Sequence, residues 1–230
     1  MINSMKMKFN KISFSLILFL GFIFSNTNPN QGSIVEVEFI ESMTAQEIFD
    51  YLQPILDIFT PLNGYDVDIY SITYETIDTD GNSTLASGAL AIPIVTDGFL
   101  PLLSYQHGTQ LERNGVSSIN GFDIVSMWLG TSGYVTALPD YLGLGVSELF
   151  HPYMIYEESA TSIIDMLRAS KTFCMINNIN LNEQLFLIGY SEGGYTTMAT
   201  HKMIEENFSD EFTITASAPS AGPYDLSGEM

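Results

Sequence analysis

The residues of this chain best suited to covalent chemistry are Gly189-Tyr190-Ser191-Glu192-Gly193. A serine flanked by glycines in this spacing fits a nucleophile on a sharp strand-to-helix turn, where a side chain at either glycine would strike a neighbouring strand or helix. The hydroxyl is then displayed at the top of a sheet, ready to attack an acyl carbon. Tyr195 to Glu206 reads as the helix that follows, and its free N–H groups and partial positive charge would face a developing oxyanion. The backbone N–H of Glu192 is the first expected donor. The segment His107-Gly108-Thr109, at the end of another apolar run, offers the second, from Gly108 or Thr109. His107 is then structural, with general base as its alternative role. The plain alternative for Ser191 is a glycine-rich connection in which the serine only caps a helix.

Such turns need a sheet to hold them. Leu185 to Gly189 is an apolar run of strand length leading into the serine, and Leu102 to Gln106 leads into His107. Further strands are expected at Tyr134 to Leu138 and Thr213 to Ala218, with helices around Phe122 to Leu129 and Glu158 to Asn177. In the second helix Ile163, Met166, Leu167, Phe173, Cys174 and Ile176 form one apolar stripe. Upstream, the alternation from Tyr65 and the run Leu85 to Val95, joined by Asp78-Thr79-Asp80-Gly81-Asn82, predict an antiparallel hairpin. That acidic turn lacks the glycine and distal glutamate of a calcium loop, so it reads as turn chemistry. Thr44 should cap a short helix from Ala45 to Leu52, while residues 26–42 read as a tail and an irregular segment. The apolar stretch Ile48 to Ile58 is expected to pack on the core rather than cover a pocket. Strands alternating with helices after an antiparallel start predict a mostly parallel α/β sheet with its site at the strands' carboxyl ends.

Lys6, Lys8 and Lys11 precede an apolar run, Ile12 to Phe24, of about 13 residues, the plan of a secretory signal peptide over residues 1–25. A membrane span needs about 20 residues, so no stable insertion is expected once this segment is removed. The chain carries 7 basic and 27 acidic residues, a formal charge of −20; without the three lysines it has 4 against 27, or −23. Such a charge repels nucleic acid and anionic membranes, so neither is an expected partner. Cys174 is the single cysteine, which excludes an intrachain disulfide; a buried thiol is expected.

Five blocks occur in order: Tyr105-Gln106-His107-Gly108-Thr109, Pro139-Asp140-Tyr141-Leu142-Gly143-Leu144-Gly145, His151-Pro152-Tyr153, Gly189 to Gly194, and Ala221-Gly222-Pro223-Tyr224-Asp225-Leu226. Across residues 60–228 the chain resembles secreted α/β-hydrolase esterases of the secretory lipase type. The resemblance implies an α/β-hydrolase fold over residues 61–230, with residues 26–60 as an N-terminal extension. It also implies hydrolysis of a small-molecule ester or lipid without a cofactor or metal, and export from the cell. It carries the nucleophile to Ser191 and the oxyanion donors to Glu192 and the Gly108-Thr109 turn. In this fold the acid and then the histidine follow the serine. Of three histidines only His201 does, and ten residues along a helix place it about 15 Å away. Asp225 lies one strand early for the acid, and His151 suits a structural or substrate-side role. The C-terminal strands bearing the acid and histidine are therefore expected beyond residue 230, leaving this chain inactive alone. A prolyl-oligopeptidase-like peptidase is a second reading, opposed by the lack of preceding propeller repeats. A non-catalytic binding protein on the same scaffold is a third.

Overall fold

Alternation in the hairpin and continuous apolar runs downstream produce two kinds of strand within one sheet. The computed structural model describes residues 30–54 and 64–225. The proposed signal segment and the end of the Ile48 to Ile58 stretch lie outside them. In chain order the elements are β1 (Ile34–Met43), α1 (Ala45–Leu52), β2 (Val67–Ile77), β3 (Ser83–Pro93), β4 (Leu100–Gln106), α2 (Ser117–Asn120), α3 (Ile124–Thr131), β5 (Val135–Pro139), α4 (Tyr156–Ile176), β6 (Leu181–Tyr190), α5 (Glu192–Asn207) and β7 (Ile214–Ser220). The sheet order is β1-β2-β3-β5-β4-β6-β7. Pairing is antiparallel from β1 through β3 to β5, and parallel from β5 through β4 and β6 to β7.

Successive side chains of a strand point to opposite faces, and here each face has its own helices. Ile72 and Tyr74 of β2, with Leu90 and Ile92 of β3, join the core that holds Ile164 and Leu167 of α4 and Ile204 of α5. Val67 and Ile69, with Ala89 and Ala91, join Ile48 and Leu52 of α1 and Met127 of α3. This is the α/β-hydrolase architecture. Thr44 caps α1 with a reciprocal capping box to Glu47, which satisfies the free amides at the helix start. Cys174 is buried, and that burial pushes its thiol up to about 12. The hairpin turn is held by Asp78, whose carboxylate accepts from the amides of Asp80 and Asn82 at 2.9 and 2.8 Å. Among the described residues no cluster of three or more His, Cys, Asp or Glu could hold a metal ion, and no helix is long and apolar enough to cross a membrane.

Two expectations are corrected. Ile34–Met43, read as irregular, is an edge strand on β2, with Val35, Val37 and Phe39 exposed. Among the described residues its one sheet neighbour is β2, more than 20 positions along the chain, so local pattern could not reveal it. Ile176, placed in the buried stripe of α4, faces solvent at the helix's last turn.

A buried polar knot joins the N-terminal segment to this frame. Asp165 of α4 accepts hydrogen bonds from Thr76 Oγ1 at 2.7 Å, Arg168 Nη1 at 2.7 Å and Gln31 Nε2 at 3.3 Å. Arg168 also grips Glu211 through two bonds of 2.8 and 2.6 Å. Burial pushes the Asp165 carboxyl up to about 6, and the Thr76 and Arg168 bonds only partly offset it. The folded state therefore binds this proton more tightly than the unfolded chain, whose aspartates titrate near 3.9. The resulting stability is present below about pH 4 and is lost as pH rises through about 6, a difference of about 3 kcal/mol. Asp165→Asn should therefore gain about that much relative to the unsubstituted protein between about pH 4 and about pH 8. Urea unfolding midpoints at the two pH values check it; parallel pH profiles would contradict it.

Candidate active site

Three turns converge because of the sheet order. From β4 the chain crosses to β5 on one side, then returns past β4 to β6 on the other. Connections that leave a strand in opposite directions open a crevice at its carboxyl end. Around it lie His107-Gly108-Thr109 after β4, Asp140 and Tyr141 after β5, and Ser191 after β6.

Ser191 has φ 59° and ψ −122°, a strained conformation for a residue other than glycine. It stands between β6 and α5, its amide bonded to the Ser220 carbonyl at 3.0 Å and its carbonyl accepting from the Tyr195 amide at 3.1 Å. The glycines have the expected steric cause. A Cβ at Gly189 would overlap the Gly193 carbonyl, and one at Gly193 would overlap the Gln106 carbonyl of β4. Gly108 lies across the crevice, where an added Cβ would come within 3.8 Å of the Ser191 Cβ and 3.4 Å of the Tyr190 carbonyl. Glu192 opens α5, so its amide is among those without a partner inside the helix.

Buried side chains fix these turns. Gln106, fully buried, sits with its amide nitrogen 2.7 Å from both the Ile188 carbonyl and Thr197 Oγ1, and its oxygen 2.6 Å from Ser104 Oγ. It bonds β4 to β6 and α5. Asp140, 1% exposed, accepts from Ser87 Oγ at 2.6 Å and from Ser118 Oγ, and burial pushes its carboxyl up against those bonds. Ser118 lies on α2, a four-residue helix that periodicity is too short to reveal. Tyr141, at φ 74°, donates its hydroxyl to the His107 carbonyl at 2.9 Å and stacks on the His107 ring at 4.2 Å.

The histidines are engaged away from the serine. His107, expected to be structural, has Nδ1 2.7 Å from the Gly108 carbonyl and Nε2 3.2 Å from that of Asp140. His201, on α5, meets Ser217 of β7 through Nδ1 at 2.7 Å, an interfacial placement. His151 reaches the site's other side, its Nε2 2.7 Å from Glu192 Oε1 and its Nδ1 2.8 Å from the Leu142 carbonyl. Burial lowers the His151 proton affinity, but the bonds to Glu192 and Leu142 outweigh it and the net shift is upward. No hydrogen bond joins any of them to the Ser191 hydroxyl. Asp225 is exposed after β7. The His151–Glu192 contact was not read from the sequence; both residues lie in ordered motif blocks, but nothing local pairs them.

A model of a family described as secretory lipase matches residues 106–223, which span all three turns. A protein of Legionella pneumophila subsp. pneumophila is 38% identical with a TM-score of 0.76, over 84% of this chain and 53% of its own. The ligand-bound rice cell wall degrading esterase LipA of Xanthomonas oryzae is 34% identical with a TM-score of 0.78, over 85% of this chain and 52% of its own. The closed state of Candida antarctica lipase A, 16% identical with a TM-score of 0.55, shares the fold over 81% of this chain and 41% of its own. The chain thus spans about half the length of the first two. A search of curated proteins returned no match.

Proposed function

The chain belongs to the secretory lipase family, and from that premise we propose that it hydrolyses carboxylic esters through an acyl-enzyme on Ser191. The observation that carries this is the strained Ser191 at the head of α5, with the Gly108 turn directly opposite. Ser191 Oγ attacks the carbonyl carbon while its proton passes to a general base, and the carbonyl electron pair moves onto oxygen. The Glu192 amide and an amide of Gly108 or Thr109 receive that oxyanion. Collapse expels the alcohol, which takes back the proton, and water then releases the acid by the reverse sequence.

His107, His151 and His201 are engaged with the Asp140 carbonyl, Glu192 and Ser217, so none of them is assigned as the base. The substrate is a small ester or a lipid; the esterase function of the Xanthomonas relative supports the bond class. The basic and apolar sequence before residue 25 supports export.

A serine to which no histidine is hydrogen-bonded should respond to a base supplied in solution. With p-nitrophenyl butyrate, imidazole is expected to accelerate turnover by the purified chain at least about tenfold above the imidazole background. Ser191→Ala should abolish that gain. Equal stimulation of the unsubstituted and Ser191→Ala proteins would overturn the assignment.

A further inference from the structure

Glu192 combines two properties that normally exclude each other. Its backbone stands at the site, and its acidic side chain is 1% exposed. An acid near a helix start gains from the dipole while solvated, so burying it requires a specific partner. Among the described residues that partner is His151, through Nε2; the other carboxylate oxygen, Oε2, is buried without a hydrogen bond.

His151 is itself held on three sides. Nδ1 meets the Leu142 carbonyl, the ring lies parallel to Tyr141 with centroids 6.1 Å apart, and Tyr153 packs edge-on at 5.9 Å. Both ring nitrogens face acceptors. With Glu192 ionised, both must carry hydrogen, so an imidazolium faces the carboxylate and the pair is neutral. Two residues further on, the Tyr153 hydroxyl lies 3.0 Å from Thr109 Oγ1. One three-residue segment, made rigid by Pro152, therefore touches the turn after β4 and the turn after β6.

We propose that His151-Pro152-Tyr153 is a strap that sets the oxyanion hole, His151 holding and neutralising Glu192 and Tyr153 holding Thr109. This rests on the assignment of Ser191 as nucleophile. His151 and Tyr153 are positioning residues, acting through the two donor turns without touching the reacting atoms. Neutralisation matters because an unpaired carboxylate beside the hole would repel the developing oxyanion through a medium that screens poorly. Loss of His151 should therefore slow acylation by misplacing one donor and by exposing the oxyanion to a negative charge.

The test is the imidazole-assisted rate of Ser191 acylation by p-nitrophenyl butyrate, as a function of ester concentration. His151→Gln should lower the maximal rate roughly tenfold, with little change in the half-saturating concentration. Adding Glu192→Gln to that variant removes the stranded charge and should restore most of the rate. Tyr153→Phe, at a half-exposed position where folding is not at risk, should lower it about threefold. Unsubstituted rates in both His151→Gln and Tyr153→Phe, with Ser191→Ala inert, would overturn the strap while leaving the nucleophile in place. Absence of acylation in the unsubstituted protein would overturn the nucleophile, and the strap would fall with it.

Discussion

Gly193→Ala should destabilise the protein by about 3 kcal/mol or more and abolish acylation of Ser191. The added Cβ would meet not a flexible side chain but the Gln106 and His107 carbonyls of the neighbouring strand end. Backbone cannot rotate aside, so α5 must retreat from β4 and carry the Glu192 amide with it. Gly108→Ala is the informative contrast. Its Cβ would make ordinary contacts at 3.4 and 3.8 Å, the second with Ser191, so the variant should fold normally and lose activity by crowding the crevice. Thermal melts read alongside acylation rates separate the two. A Gly193→Ala protein as stable as the unsubstituted one would contradict the packing argument.

Asp140→Ala should cost about 3 kcal/mol or more, whereas Asp140→Asn should cost a small fraction of that. Removing the carboxyl leaves the Ser87 and Ser118 hydroxyls buried with their shared acceptor gone, and each stranded group costs about 1–3 kcal/mol. Asparagine retains an oxygen where both hydroxyls converge. Denaturant unfolding of the two variants checks the ordering. Equal losses would mean that volume, not the hydrogen bonds, holds this turn.

The sequence disclosed the parts of the site whose cause is local. Gly189 and Gly193 announce an elbow around Ser191 because a side chain at either would strike neighbouring backbone, and the strand leading into it is an apolar run. Their partners in the turn after β4 were legible because Gly108 ends another such run. What could not be read depends on residues brought together from distant positions. Gln106 looks like one polar residue at a strand end, yet it bonds three elements. His151 and Glu192 lie 41 positions apart, and a histidine in a loop gives no sign of a buried acid opposite it. β1 was missed for a related reason. Its burial pattern is mostly exposed, so its glutamate-rich alternation reports solvent on both faces rather than the edge of a sheet.

The family match rests on residues 106–223, and the central claim rests on one atom within them, the Ser191 hydroxyl oxygen. Mass spectrometry of the chain after incubation with p-nitrophenyl butyrate and imidazole tests it most directly, because the acyl-enzyme is a covalent intermediate whose mass and position can be read. The account predicts a butyryl adduct on the peptide containing Ser191, absent from Ser191→Ala and Gly193→Ala. A butyryl group found only on other residues, or retained undiminished in Ser191→Ala, would contradict it.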